Sequence, residues 1–136
     1  KNKMAKIIPD NLYESYIHYP NNIVLLYKDA NDYRKLTYRE LYEKVLSLMI
    51  TLRKLGLKKG DKIAILADNI PEWIIADMAI LSIGAVVVPI YHKTSEKVLT
   101  YILKDSGVKA IFSGNKENEE LLTRIYRLKY ASTSLS

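Results

Sequence analysis

"GDKIAILADNIPEWIIADMAILSIGAVVVPI", residues 60–90, decides the fold. Residues 61–67, "DKIAILA", read as a strand that is apolar on both faces, as a central strand of a parallel sheet must be. Asn69 and Glu72 form a capping pair around Pro71, which sits without cost in a first helical turn. The helix through Trp73 to Ile83 is apolar nearly all round, so it is expected to be covered on more than one side. Gly84 ends it, and "AVVVPIY" is expected as another buried strand. Strand, helix, strand in this order is the unit that holds a nucleotide in many proteins. Here, however, the turn is "ADNIPEW", with no glycine to bring backbone close to a phosphate.

The same grammar extends both ways. Downstream, Thr94 or Ser95 caps a helix whose apolar face is Val98, Leu99, Ile102 and Leu103, and Gly107 stops it. "VKAIFSG" (108–114) is a third buried strand, and "NKENEELLTRIYRLK" (115–129) a last amphipathic helix. Upstream, "TYRE" at Thr37–Glu40 is a capping box. Leu41, Val45, Leu48, Leu52 and Leu55 follow as one helical stripe ended by Gly56. Before it, residues 22–29 and 34–38 flank the polar turn "ANDY" as a hairpin. Residues 10–19 form a short helix capped by Asp10 or Asn11 and stopped by Pro20. The fold class is therefore α/β: an amino-terminal helix and hairpin, then a parallel βαβαβα unit with right-handed crossovers. Residues 130–136, "YASTSLS", are read as a polar tail, open to disorder. A stretch of seven residues of which four are serine or threonine is not expected to supply the apolar strand that should come next.

A chain of 136 residues with 49% apolar content suits one compact domain or a piece of a larger one. With no cysteine, disulfides and thiolate chemistry are excluded. No apolar run approaches the ~20 residues of a membrane-spanning helix, and the start, "KNKMAKIIPDN", lacks the apolar stretch of a secretion signal. The cytoplasm is the expected compartment. A net charge of +6 and eleven tyrosines raise the question of nucleic acid. The lysines alternate with acids, and the densest basic run, "RKLGLKKGDK", straddles a helix end, where cations complement exposed carbonyls. Nucleic acid is therefore not expected as a partner. Weak association with an anionic membrane surface stays open.

The residue types that carry chemistry do not assemble into a site. There is no dinucleotide fingerprint after Ala67, and "GNK" at Gly114–Lys116 is too short for a phosphate loop. His18 and His92 are far apart in sequence and lack metal-ligand spacing. His92 follows a parallel strand, where ligands bind, which keeps it a weak candidate. Asp68, Glu72 and Asp77 are the acids nearest a strand end. Read as candidates they could serve a cleft; read structurally, Glu72 assists a cap and Asp77 makes an ion pair on the helix side. The structural readings weigh more. Trp73 is expected to pack in the core or against another domain. Ser82 lacks the G-x-S-x-G elbow and Ser113 has no glycine on its amino side.

Taken in order, "LTYREL", "LGLKKGDKIAIL", "NIPEWIIADMAIL", "GAVVVPIY" and "YILKDSGVKAIF" resemble the amino-terminal part of the adenylate-forming, AMP-binding ligases. "VPIYHKTSEKVLTYILKDS" is similar to the long-chain fatty acyl-CoA synthetase branch, although His92 stands where many members have proline. The resemblance runs from about Asn11 to about Leu122 and covers only the first portion of a complete member.

It implies a two-step reaction in a parent enzyme. A carboxylate attacks the α-phosphate of ATP to give an acyl-adenylate and pyrophosphate, and a thiol, usually of coenzyme A, then takes the acyl group. The resemblance places the phosphate loop, the magnesium pair, the ribose aspartate and the catalytic lysine further along the chain. No catalytic, cofactor-binding or metal residue is carried over to this sequence. ATP, magnesium and coenzyme A are expected for the complete parent, and none is expected to bind this chain alone. The implied partners are the remainder of the synthetase and a fatty acid. A homodimer through exposed apolar surface stays open. So does the origin of the polar tail, as a truncated product or a diverged reading frame. Two other readings remain: a stand-alone doubly wound binding or signalling module, and a non-catalytic partner of a split enzyme. On the synthetase reading, the unit at 60–90 is framework.

Overall fold

A computed structural model describes residues 10–68, 70–113, 120 and 132–133. The elements run α1 (Asp10–His18), β1 (Ile23–Asp29), β2 (Asp32–Thr37), α2 (Tyr38–Lys54), β3 (Lys62–Leu66), α3 (Ile70–Ser82), β4 (Val86–Pro89), α4 (Glu96–Ser106), β5 (Ala110–Ser113) and β6 (Ser132–Thr133).

β1 and β2 form the expected antiparallel hairpin, but its turn is tighter than the sequence suggests. Asp29 pairs with Asp32 and Lys28 with Tyr33, so only Ala30 and Asn31 lie outside the ladder. The remaining strands form one parallel sheet in the order β4-β3-β5-β6. Side chains alternate across β3, and each set meets its own layer. Ile63 and Ile65 face a core shared with Val45, Leu52, Ala76, Ile80 and Phe112, built from α2, α3 and the sheet. Ala64 and Leu66 face the other way, against Ile111 and against Leu99 and Leu103 of α4. Burying each large aliphatic side chain in these layers stabilises the fold by roughly 1.5–3 kcal/mol relative to exposure.

The helix ends follow their local signals. The Thr37 hydroxyl accepts from the Glu40 N–H at 3.2 Å, while Glu40 Oε1 accepts from the Thr37 N–H at 2.9 Å. Ser95, not Thr94, caps α4, accepting from the Val98 N–H at 3.3 Å. Gly107 closes that helix in the left-handed region at φ 69. Leu55 leaves the buried stripe of α2. It lies beyond the helix as its cap and is 47% exposed, whereas Leu41, Val45, Leu48 and Leu52 are buried.

Three further expectations are corrected. β4 is not a buried strand: Val86 and Pro89 are exposed and Val87 and Val88 half-buried. Among the described residues β4 is a sheet edge, the position where a proline, lacking its N–H, can be accommodated. The polar tail does supply the next strand, since Ser132 pairs with Ile111 and Thr133 with Phe112. A parallel ladder needs only backbone donors and acceptors, which serine and threonine carry as well as valine does. Asp10 lies inside α1 rather than before it, so the cap of that helix falls outside the described residues. The helix expected at 115–129 also falls outside them, apart from Glu120, which is helical. Among the described residues no helix is long and apolar enough to cross a membrane.

Candidate functional site

In a parallel sheet, ligands gather beyond the carboxyl ends of the strands. Asp68 follows β3 there, His92 follows β4, and Ser113 ends β5. A recess near these ends is a cleft between β1 and the start of α3. Leu25, Leu26, Tyr27 and Lys28 line one wall, and Asp68, Ile70 and Pro71 the other, enclosing about 390 Å³. Beyond Tyr27 and Pro71 lies a second cavity of about 230 Å³, bounded by Asp29, Leu36, Lys44, Glu72 and Ile75.

Local sequence explains this arrangement. Pro71 and Ile75 hold the first turns of α3 against the hairpin, and that packing carries Glu72 inward. Its Oε2 is fully enclosed and has no hydrogen-bond partner among the described residues. Burial pushes the Glu72 carboxyl above its ordinary range, and the neighbouring Asp68 carboxylate adds to the rise. The capping role expected for Glu72 involves Asn69, which lies outside the described residues.

The other candidates are not brought together. Asp77 is half-buried, its carboxyl raised by burial alone, and it has no ion-pair partner among the described residues. Ser82 donates its hydroxyl to the Met78 carbonyl, an ordinary back-bond within the helix. Ser113 is fully buried in β5. His92 stacks obliquely on Tyr91 at 4.8 Å, and His18 meets Glu14 at 3.2 Å on an exposed helix face. Trp73 is half-buried and packs against the main core.

The start of α3 presents to the cleft the Asp68 carboxylate, opposite Lys28, and the ring of Pro71, which has no N–H to offer a phosphate. Among the described residues no three histidines, aspartates or glutamates cluster into an all-protein metal site. The cleft is lined mainly by hydrophobic side chains, with Lys28 on one wall and Asp68 on the other.

Sequence reasoning missed one constellation, at the opposite end of the sheet. Asp61 is 8% exposed, accepts from the Lys58 N–H at 2.9 Å through Oδ2, and pairs with Lys109 Nζ at 3.2 Å through Oδ1. The Lys58 N–H and the Lys109 ammonium hold this carboxyl below the usual aspartate range. The signal was an acid directly before a buried strand within an otherwise basic run, "LKKGDK". The bond ties the turn before β3 to the start of β5, so its role is structural.

With the geometry described, comparison with known proteins becomes informative. Residues 13–134 match the family described as AMP-binding enzyme. Long-chain-fatty-acid–CoA ligase 1 of Schizosaccharomyces pombe is 33% identical over 111 residues, 74% of this chain and 16% of that protein. The chloroplastic long-chain-fatty-acid–[acyl-carrier-protein] ligase AEE15 of Arabidopsis thaliana is 34% identical over 112 residues, 82% of this chain and 15% of that protein. The chain thus spans about one sixth of the length of these relatives. Among solved structures, the fatty acyl-adenylate ligase from L. pneumophila, in complex with acyl adenylate and pyrophosphate, superposes with a TM-score of 0.79. It is 22% identical, and the superposition covers 97% of this chain and 23% of that one, a likeness of fold.

Proposed function

From the premise that this chain belongs to the AMP-binding enzyme family, we propose that it is the amino-terminal framework of an ATP-dependent acyl-CoA synthetase. The parent enzyme joins a long-chain fatty acid to the α-phosphate of ATP, releasing pyrophosphate, and then passes the acyl group to the thiol of coenzyme A with loss of AMP. ATP, magnesium and coenzyme A are the parent's requirements, and the cytoplasm its compartment. The observation that carries this reading is the family match, which encloses both the hairpin and the parallel strands. The identity to two long-chain ligases supports the substrate class, and their printed names differ in the acyl acceptor.

Within that enzyme, these residues supply position rather than chemistry. The cleft offers a polyphosphate one lysine, Lys28, opposed by Asp68, and no N–H from Pro71, so the groups that grip ATP are assigned to polypeptide beyond the described sheet. The 136-residue protein alone is therefore expected to show no activity above a heat-killed control in ATP–pyrophosphate exchange with palmitate. Exchange above that control would overturn its role as framework. For the parent, palmitate-dependent exchange exceeding that with acetate is expected. A preference for acetate, or for an amino acid, would overturn the substrate class.

A further inference from the structure

Parallel βα connectivity places the carboxyl ends of the helices and the amino ends of the strands at one end of the molecule. Here Lys62 opens β3 beside Val86 of β4, and the Lys109 N–H donates to the Lys62 carbonyl at 2.8 Å. The Gly60 N–H reaches the Gly84 carbonyl at 3.0 Å, so the turn before β3 lies on the turn before β4. Lys58, Lys59, Lys62 and Lys109 are all exposed on this end, joined by Arg53 and Lys54 from the last turn of α2. Lys104 and Asp105 at the end of α4 offset one another. Asp61 is engaged by Lys109, and the other cations of the end make no such pair among the described residues.

Complementing the helix ends accounts for Arg53 and Lys54. It does not account for Lys58, Lys59 and Lys62, which lie in a turn and a strand. Between the cations stand exposed aliphatic side chains: Leu55 at 47%, Leu81 at 56% and Val86 at 45%. The other end of the sheet, around the cleft, mixes signs instead, with Asp29, Asp68 and Glu72 beside Lys28 and Lys44. We propose that the end of the sheet where the parallel strands begin is a docking surface for an anionic phospholipid bilayer. Lysines on one face attract acidic headgroups, and leucine and valine beside them enter the boundary with the acyl chains. A single-stranded nucleic acid would instead call for aromatic side chains among the cations, on which bases stack. Residues 53–62, 81–86 and 104–109 contain none.

Docking is read by binding, not turnover, so its test is separate from that of the proposed activity. The protein is sedimented with vesicles of phosphatidylcholine alone and with vesicles containing phosphatidylserine, and titrated in parallel with a single-stranded oligonucleotide. Binding is expected to the phosphatidylserine vesicles only, and to weaken as salt screens the charges. Each lysine near the surface is worth roughly fivefold, so Lys58→Gln, Lys59→Gln and Lys62→Gln together lower vesicle affinity about a hundredfold. The matched change at the opposite end, Lys28→Gln, Lys93→Gln and Lys97→Gln, alters it less than about threefold, because only distant charge is lost. All six lysines are exposed, so both variants are expected to melt as the parent chain does. Leu55→Ser with Leu81→Ser weakens vesicle binding several-fold and leaves the oligonucleotide titration unchanged. Equal loss in the two lysine variants, equal binding to both vesicles, no binding at low salt, or tighter binding to the oligonucleotide than to vesicles would each overturn the proposal.

Discussion

Ala30 holds a backbone conformation that its side chain disfavours, with φ at 56 in the first position of the hairpin turn. The left-handed region costs an L-residue roughly 1–2 kcal/mol, and glycine returns part of that gain through its looser unfolded chain. Ala30→Gly is therefore expected to stabilise the protein by about 0.5–1 kcal/mol in urea unfolding. Two carboxyls should shape the acid limb of stability in opposite senses. Asp61 titrates below its ordinary range, so its contribution is complete above about pH 4 and disappears as pH falls through its folded pKa. Asp61→Asn should lower the melting temperature at pH 7 and flatten that acid loss. Glu72 titrates above its ordinary range, so the fold is favoured while it is protonated and weakens as pH rises from about 4.3 through the folded value. Glu72→Gln should raise the melting temperature at pH 7 by roughly 1–3 °C and remove that decline. A lower melting temperature in that variant would mean that the buried carboxylate has a partner there. Neither shift is visible in the sequence, because one needs the turn that aims the Lys58 N–H at Asp61 and the other the packing that buries Glu72.

The connections of α2 and α4 were legible residue by residue. Thr37 with Glu40, Ser95, Gly56 and Gly107 act within one turn of themselves, so their meaning survives without tertiary context. Thr37→Ala should cost about 1 kcal/mol, because it leaves the Glu40 N–H without its acceptor. A loss below about 0.3 kcal/mol in chemical denaturation would show that water replaces the cap. Edges were not legible in the same way. "AVVVPIY" carries the composition of a central strand, and only the sheet order reveals that β4 lies on one side, with Pro89 as the residue that hinted at it. Ser132–Thr133 shows the converse, a strand with no apolar signal, positioned by the backbone of β5. The cleft between β1 and α3 was hidden for a similar reason: Tyr27 and Pro71 are more than forty residues apart, and no local pattern joins them.

The order β4-β3-β5 leaves β3 dependent on two partners that come later in the chain, and Phe112 of β5 completes the core that Ile63 and Ile65 begin. Phe112→Ala should cost about 3–5 kcal/mol, enough to unfold a domain of ordinary stability, and circular dichroism at 25 °C would register it. Retention of a cooperative transition above 50 °C would show that the two layers stand independently. The unbroken apolar run of β3 told from the sequence that both its faces are covered, yet not which helix lies on which face. On a ribosome the same ordering becomes a matter of time. Ile63 is synthesised 47 residues before Ala110, its partner in the ladder (110 minus 63). At about 5–20 residues per second, the strand spends roughly 2–9 seconds outside the exit tunnel with one edge bare. A nascent chain stalled between these two residues is the form that a holdase chaperone would meet.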